Sequence, residues 1–238
     1  MLRLTFASYK CLREICGVLV SDDMSGKPAV RRELLAARKL LSGEDAREAA
    51  VILARRALDL PELARARTVA AYVSVGREPG TRVLLDTLRA RGVRVLLPVL
   101  MADNDLDWAV YGGAGHLVRA GRGLLEPDGI RQGPDAVLEA DVVLLPGLAV
   151  DGRGMRLGRG GGSYDRVLAR LAQAGAEPAL AVLLYDNEVV ARVPEEPHDH
   201  PVQAVVTPGG IRRFGGEAPG ARGHRGGQHG SGRRHHEG

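Results

Sequence analysis

Residues Arg156–Leu168 read RLGRGGGSYDRVL, with Gly160, Gly161 and Gly162 set between two arginines and an aspartate. Glycine permits positive φ and lets a backbone come close to a ligand. A helix beginning just after it would offer free N–H groups and the positive end of its dipole to an anion. Arg156, Arg159 and Arg166 add cationic charge. This is phosphate-binding chemistry, but it fits neither common phosphate pattern. A nucleotide-triphosphate loop requires Gly-Lys-Ser/Thr, and no lysine stands here. The dinucleotide pattern requires a third glycine where Ser163 stands, and the stretch comes late in the chain. The plain alternative is a surface turn, with Ser163 as helix cap and Asp165 set against the dipole. Composition alone favours that turn; the order of residues around it favours a site.

The elements that must position such a loop are legible. Pro28 suits the first turn of a helix bearing Val30, Leu34, Leu35 and Ala37 on one side. Ser42, with Asp45 three residues on, opens a second helix whose apolar face is Ala49, Ile52, Leu53 and Ala57; Pro61 ends or follows it. Thr68–Val75 reads as a buried strand, Thr81–Arg91 as an amphipathic helix closed by Gly92, and Val93–Val99 as a second strand. Strand, helix, strand is the unit of a parallel sheet. Asp105–Tyr111 alternates and predicts a more exposed, antiparallel strand. Residues 112–135, rich in Gly, Pro and Asp, predict loop. Asp141–Gly147 is the most deeply buried strand expected; it leads to the glycine stretch and a helix over Tyr164–Ala172. Strands follow over Ala179–Tyr185 and Gln203–Pro208. The expected fold is a three-layer α/β/α domain with a mostly parallel central sheet, over residues 25–214. In such sheets ligands sit beyond the carboxyl ends of the strands, where the glycine stretch falls.

The rest of the composition narrows the class. Aromatic residues are 3% of the 238, so the core is built from Leu, Val and Ala. The net charge of +4 is carried by arginine, since lysine occurs only at Lys10, Lys27 and Lys39. The arginines are scattered rather than striped on one face, which argues against a nucleic-acid surface. Cys11 and Cys16 have no metal spacing and form no disulfide framework, which places the chain in a reduced, cytoplasmic setting. No apolar run has the length of a membrane span. Residues 1–24 read as a poorly ordered N-terminal extension, and the Gly/Arg/His-rich residues 215–238 as a disordered tail.

Taken as ordered text, LLPGLAVDGRGMRLGRGGGSYDRVL resembles the signature of the 5-formyltetrahydrofolate cyclo-ligase family. Pro146, Gly147, Asp151, Gly154, Arg156, Leu157, Gly158, Gly160, Gly162, Tyr164 and Asp165 match that pattern in order. Lys27 and Arg31 are similar to its N-terminal Lys-x-x-x-Arg, Ser74 and Glu78 to its Ser-x-x-x-Glu, and EEPHDHPVQAVVTP to a C-terminal stretch with a metal-linked aspartate, here Asp199. VLLPVL and LEPDG have counterparts as well. Ser163 departs from the pattern, which has an aromatic residue there.

The resemblance implies a sugar-phosphate isomerase/CoA-transferase-like fold and an ATP- and magnesium-dependent reaction. In it 5-formyltetrahydrofolate becomes 5,10-methenyltetrahydrofolate, with ADP and phosphate released, through an N5-iminium phosphate. It implies that ATP is met by Lys27, Arg31, Arg156, Leu157, Gly158, Arg159, Gly160, Gly161, Gly162, Ser163 and Tyr164. Folate is met by Val73, Glu78 and the Arg159–Ser163 stretch, and Mg²⁺ by Asp165 and Asp199, with Arg159 and Lys27 serving catalysis. Each residue has a plainer reading: a solvated helix face for Lys27 and Arg31, a helix-dipole charge for Asp165, a turn residue for Asp199, a loop carboxylate before Pro79 for Glu78. Trp108 and Tyr111 suit a folate pocket or core or edge packing equally. His198 and His200 beside Asp199 raise a transition-metal reading, disfavoured because three adjacent residues rarely converge on one ion. Competing functions are an ATP-independent isomerase or CoA transferase, and an RNA-binding protein using the basic tail. Nothing in the composition chooses between monomer and dimer.

Overall fold

The computed structural model describes residues 26–197 and 199–215. The N-terminal extension, His198 and the tail beyond Gly215 lie outside the described residues.

Helix α1 spans Lys27–Leu40 with proline in its first turn. Helix α2, Gly43–Leu58, starts where expected. The Ser42 hydroxyl accepts the Asp45 N–H, Glu44 and Asp45 lie in the first turn, and Arg55 and Arg56 lie in the last, so both ends suit the dipole. It buries Leu53 and three small residues, Ala49, Ala54 and Ala57, that let it lie close to the sheet. Pro61 does more than end that helix: it opens a short helix α3, Pro61–Arg65. Strand β1 (Thr68–Ala70), helix α4 (Arg82–Ala90), and strands β2 (Arg94–Leu100) and β3 (Leu106–Val110) follow. The segment expected as loop contains a small ribbon, β4 (Leu117–Arg119) and β5 (Leu125–Pro127). Then come β6 (Val142–Pro146), a second ribbon β7 (Ala149–Val150) and β8 (Arg156–Leu157), and helix α5 (Ser163–Ala174). Strands β9 (Ala179–Leu183), β10 (Ala204–Thr207) and β11 (Gly210–Arg213) complete the order.

The main sheet runs β11-β10-β9-β6-β1-β2-β3, parallel from β10 to β2 and antiparallel at both edges. Alternation along β6 shows how it is covered. Val142 and Leu144 face a cluster with Leu53, Ala57, Leu84 and Leu85 from α2 and α4. Val143 and Leu145 face the other side, with Val167, Leu168 and Leu171 of α5 and Val137 of a 3₁₀ turn. The three-layer α/β/α expectation is met. Strand β3 is antiparallel as expected but not exposed: Trp108 and Ala109 are fully buried, because α5 and the 3₁₀ turn cover that edge.

Strand β1 is shorter than its apolar text suggests. Its pairing with β6 covers Val69 and Ala70, and beyond this the two strands part. Side chains then replace the ladder. The N–H of Ser74 bonds Thr81 Oγ1 and that of Val75 bonds Glu78 Oε2, while Thr81 Oγ1 donates to the Tyr72 carbonyl. At the opposite end of the strands, the Asp141 carboxylate accepts the N–H groups of Arg67 and Thr68, which holds it below its ordinary pKa of 3.8. The stabilisation from a depressed carboxylate is present above the unfolded pKa and lost as pH falls through the folded one. Asp141→Ala is expected to cost about 1–2 kcal/mol at pH 7. In urea titrations that difference should shrink below pH 4; a deficit unchanged down to pH 2 would refute the assignment.

Candidate nucleotide and heterocycle site

The parting of β1 and β6 opens a crevice at the carboxyl edge of the sheet. It is also the topological switch point, since the chain goes from β1 to β2 on one side and from β6 to β9 on the other. A cavity of about 370 Å³ occupies it. One wall is apolar: Val73 and Val75 after β1, Pro98 and Leu100 of β2, Leu106, Leu124 and Leu125. The other wall is Arg156, Gly158, Arg159, Gly160, Gly161, Gly162, Ser163, Tyr164 and Asp165, with Glu78 between the two.

The glycine wall is shaped by its backbone. Gly160 and Gly162 have φ of 92° and 75°, and Gly162 is the N-cap of α5. Ser163 is therefore the first helical residue rather than the cap, and its N–H faces the anion end of the helix. Arg31 donates from Nε to the Gly158 carbonyl at 2.9 Å, and a Cβ at Gly160 would come within 3.2 Å of its guanidinium. Helix α1 and the cradle thus touch where a side chain would keep them apart.

Among the described residues, three cations paired with carboxylates ring the site. Arg156, with 6% of its side chain exposed, donates to the Pro146 carbonyl and to Asp165 Oδ1 at 3.0 Å. Burial pushes its guanidinium down and Asp165 pulls it back. Arg159 Nη1 meets Glu78 Oε1 at 3.2 Å, with Arg159 half exposed and Glu78 largely covered. Lys27 Nζ meets both Asp199 Oδ2 and Glu196 Oε2 at 2.7 Å. The Tyr164 hydroxyl lies buried in the cavity wall with no hydrogen-bond partner among the described residues, and burial together with the Glu78 carboxylate raises its pKa. It is a phenol held neutral by its burial, in the wall beneath the cradle.

Of the residues expected to form a site, Val73, Glu78, Arg156, Gly158, Arg159, Gly160, Gly161, Gly162, Ser163, Tyr164 and Asp165 line the one cavity. Lys27, Arg31 and Asp199 stand at its flank: Arg31 touches the cradle, and Asp199 acts on Arg156 through its field. Leu157 is apart, its side chain buried beside Ala149 and Val193. Trp108 and Tyr111 pack in the core; the Tyr111 hydroxyl bonds Asp86. Among the described residues no group of three or more His, Cys, Asp or Glu could hold a metal ion.

Sequence reasoning missed the β4–β5 ribbon, which brings Arg122, Leu124, Leu125 and Glu126 to the cavity. Glu126 fixes it there by accepting the Leu100 N–H at 3.0 Å. Strands of three residues leave no periodic signal, and the glycines around them read as loop. In the sequence Asp151 is only one letter of the motif. It is fully buried, and burial opposes its charge, but Arg153 and the N–H groups of Arg153, Met155 and Val193 hold its pKa below the usual range. It joins the lead into the cradle to the loop that carries Asp199.

The site therefore defines an α/β protein with a glycine–arginine anion cradle facing an apolar slot at the switch point of a mostly parallel sheet. Residues 23–208 match the sequence profile of the 5-formyltetrahydrofolate cyclo-ligase family, and the chain belongs to that family. It is 47% identical over 149 residues to the 5-formyltetrahydrofolate cyclo-ligase of Mycolicibacterium smegmatis, covering 60% of this chain and 74% of the relative. It is 33% identical over 173 residues to the one from Escherichia coli, covering 72% and 94%. The solved 5,10-methenyltetrahydrofolate synthetase of Aquifex aeolicus superposes with a TM-score of 0.68 at 27% identity, covering 84% of this chain and 98% of that one. The fold alone is shared with the Mycoplasma pneumoniae synthetase, at a TM-score of 0.60 and 18% identity over 76% of this chain and 98% of that one.

The matched glycines allow a contrast. Gly160→Ala meets both a positive φ and the Arg31 guanidinium, whereas a Cβ at Gly161 meets nothing within 4 Å. Gly160→Ala is expected to lose about 1–2 kcal/mol of stability and Gly161→Ala less than about 0.5 kcal/mol, read by urea unfolding. Equal losses would sink this account of the cradle.

Proposed function

We propose that the protein is an ATP-dependent cyclo-ligase that converts 5-formyltetrahydrofolate to 5,10-methenyltetrahydrofolate, releasing ADP and phosphate. The observation that carries this reading is the two-sided cavity, with an apolar slot for a flat heterocycle against a cradle for phosphates, on a chain of the cyclo-ligase family.

The chemistry needs the formyl oxygen turned into a leaving group. That oxygen attacks the γ-phosphorus and ADP departs. N10 then attacks the formyl carbon, loses its proton to solvent, and phosphate is expelled as the ring closes. Such a reaction asks a protein mainly for positioning and charge neutralisation. In this reading Val73, Leu100 and Leu125 hold the pterin, and Glu78 accepts its N–H groups. Arg159, half exposed beside Glu78, stands between the two substrates and meets the phosphoryl group in transfer. The N–H groups of Gly160–Ser163 and the start of α5 receive the nucleotide phosphates, with Arg156, Arg31 and Lys27 around them and Tyr164 in the wall below. The ribbon β4–β5 roofs the slot and keeps water from the activated formyl carbon.

Magnesium suits a site of two carboxylates completed by nucleotide phosphates and water, which is the ion's habit. Asp165 and Asp199 would hold it, both within the field of Arg156. When bound it would supply charge neutralisation at the phosphates. A cytoplasmic location fits a folate substrate; among the described residues no helix is long and apolar enough to cross a membrane.

Mixing protein, MgATP and 5-formyltetrahydrofolate is expected to raise absorbance at the methenyl-folate band, with phosphate release that needs both substrates. Release without the folate, or product without ATP, would point to the isomerase- or transferase-like alternative. Lys27→Ala is expected to raise the ATP KM severalfold, and an unchanged KM would remove Lys27 from the site. Chelation by EDTA is expected to stop turnover and excess Mg²⁺ to restore it.

A further inference from the structure

Helix α1 carries Lys27, Arg31, Leu34 and Arg38 along one stripe, at helical spacing. Lys27 and Arg31 reach the site. Arg38 does not, yet it is the single buried residue of the fourteen in that helix. An ordinary surface helix buries its apolar stripe; here Val30 and Leu34 are only half-buried against Ala149, Leu157 and Val193, and the deepest contact is a charge.

That charge is held at several points. Arg38 Nε and Nη2 meet Glu188 Oε1 and Oε2 at 2.6 and 3.0 Å, with 4% and 2% of the two side chains exposed. Nη2 also donates to the Gly147 carbonyl at 2.7 Å. Glu188 accepts the Tyr185 N–H, and the Tyr185 ring lies 5.8 Å from the Arg38 guanidinium carbon. Gly147 follows β6, while Tyr185 and Glu188 follow β9. The fork therefore ties α1 to two adjoining strand ends. Gly147 is itself packed without slack, since a Cβ there would lie 2.8 Å from Val182 Cγ2.

A buried ion pair is a poor source of net stability, because apolar residues of similar volume often do as well. What a bidentate fork supplies is direction. Lys27 lies eleven residues from Arg38, about 16 Å along the helix, so a tilt of about 10° at the anchor moves Lys27 by about 3 Å. That is enough to break its contacts. We propose that the Arg38–Glu188 pair is a positioning device for the nucleotide: it fixes the tilt of α1 and so places Lys27 and Arg31 at the cradle. The proposal rests on the ATP-dependent reading above.

The test compares wild type with Arg38→Met/Glu188→Met, which removes both charges together. Steady-state kinetics are read for each substrate, MgATP binding by calorimetry, and folding by thermal melting. The expected result is a cooperative melt near that of wild type, an ATP KM and MgATP Kd raised fivefold or more, and a folate KM within twofold. Adding Lys27→Ala to this double variant should then raise the ATP KM by less than twofold, because Lys27 is already displaced. An ATP affinity within twofold of wild type, or ATP and folate constants rising together, overturns the proposal. Should the double variant not fold, Arg38→Lys keeps the charge without the fork and must show the same split between substrates. A wild-type protein without ATP-dependent methenyl-folate formation would instead sink the functional reading, which separates the two failures.

Discussion

Strands β1 and β6 run side by side for two residue pairs and then diverge, and the site is a consequence of that divergence. Every backbone N–H and C=O released from the ladder must find another partner or water. On the β1 side the partners are Thr81 and Glu78. On the β6 side they are two arginines on consecutive carbonyls, Arg156 on Pro146 and Arg38 on Gly147. The groups that heal the sheet at its opening are also the groups that surround the cavity or steer what does. Glu78 shows the double duty: one carboxylate oxygen closes its own turn, and the other faces Arg159.

This explains which parts of the molecule were legible in its sequence. The sheet, its layers and the glycine cradle follow from local rules: buried β-prone runs, helix caps, and glycines where φ is positive. The cavity's cradle wall is contiguous in sequence, so its residues could be named together. The other wall is assembled from β1, β2, and a ribbon whose strands are three residues long, and no periodicity survives in so short a run. The exposure expected of strand β3 fails for a related reason, since Trp108 and Ala109 are buried. Alternation in Asp105–Tyr111 marks two unlike faces, but whether the polar-flanked edge meets solvent depends on α5 and the 3₁₀ turn, far along the chain. Arg38 and Glu188 are 150 residues apart, and an arginine in a basic helix gives no local sign of burial. The resemblance of the ordered motif, rather than composition, turns an expected anion site into an expected nucleotide and folate site.

Charge around the cradle is balanced before any ligand arrives. Arg156 faces Asp165, Arg159 faces Glu78, and Lys27 faces Asp199 and Glu196. Pairing holds long side chains in place, and in a partly dry crevice it also keeps single charges from being buried alone. It has a consequence for nucleotide binding. A phosphate entering the cradle gains the cations but meets the carboxylates that already neutralise them. Either the acids must withdraw or another cation must take them. A divalent ion carried on the phosphates does the second, since carboxylate and phosphate oxygens are the ligands it prefers. Under the proposed function, Asp165 and Asp199 would hold that ion, which would leave Arg156 and Lys27 free to face phosphate. In that reading a requirement for magnesium would come from the resting ion pairs, with no metal cage built by the protein alone.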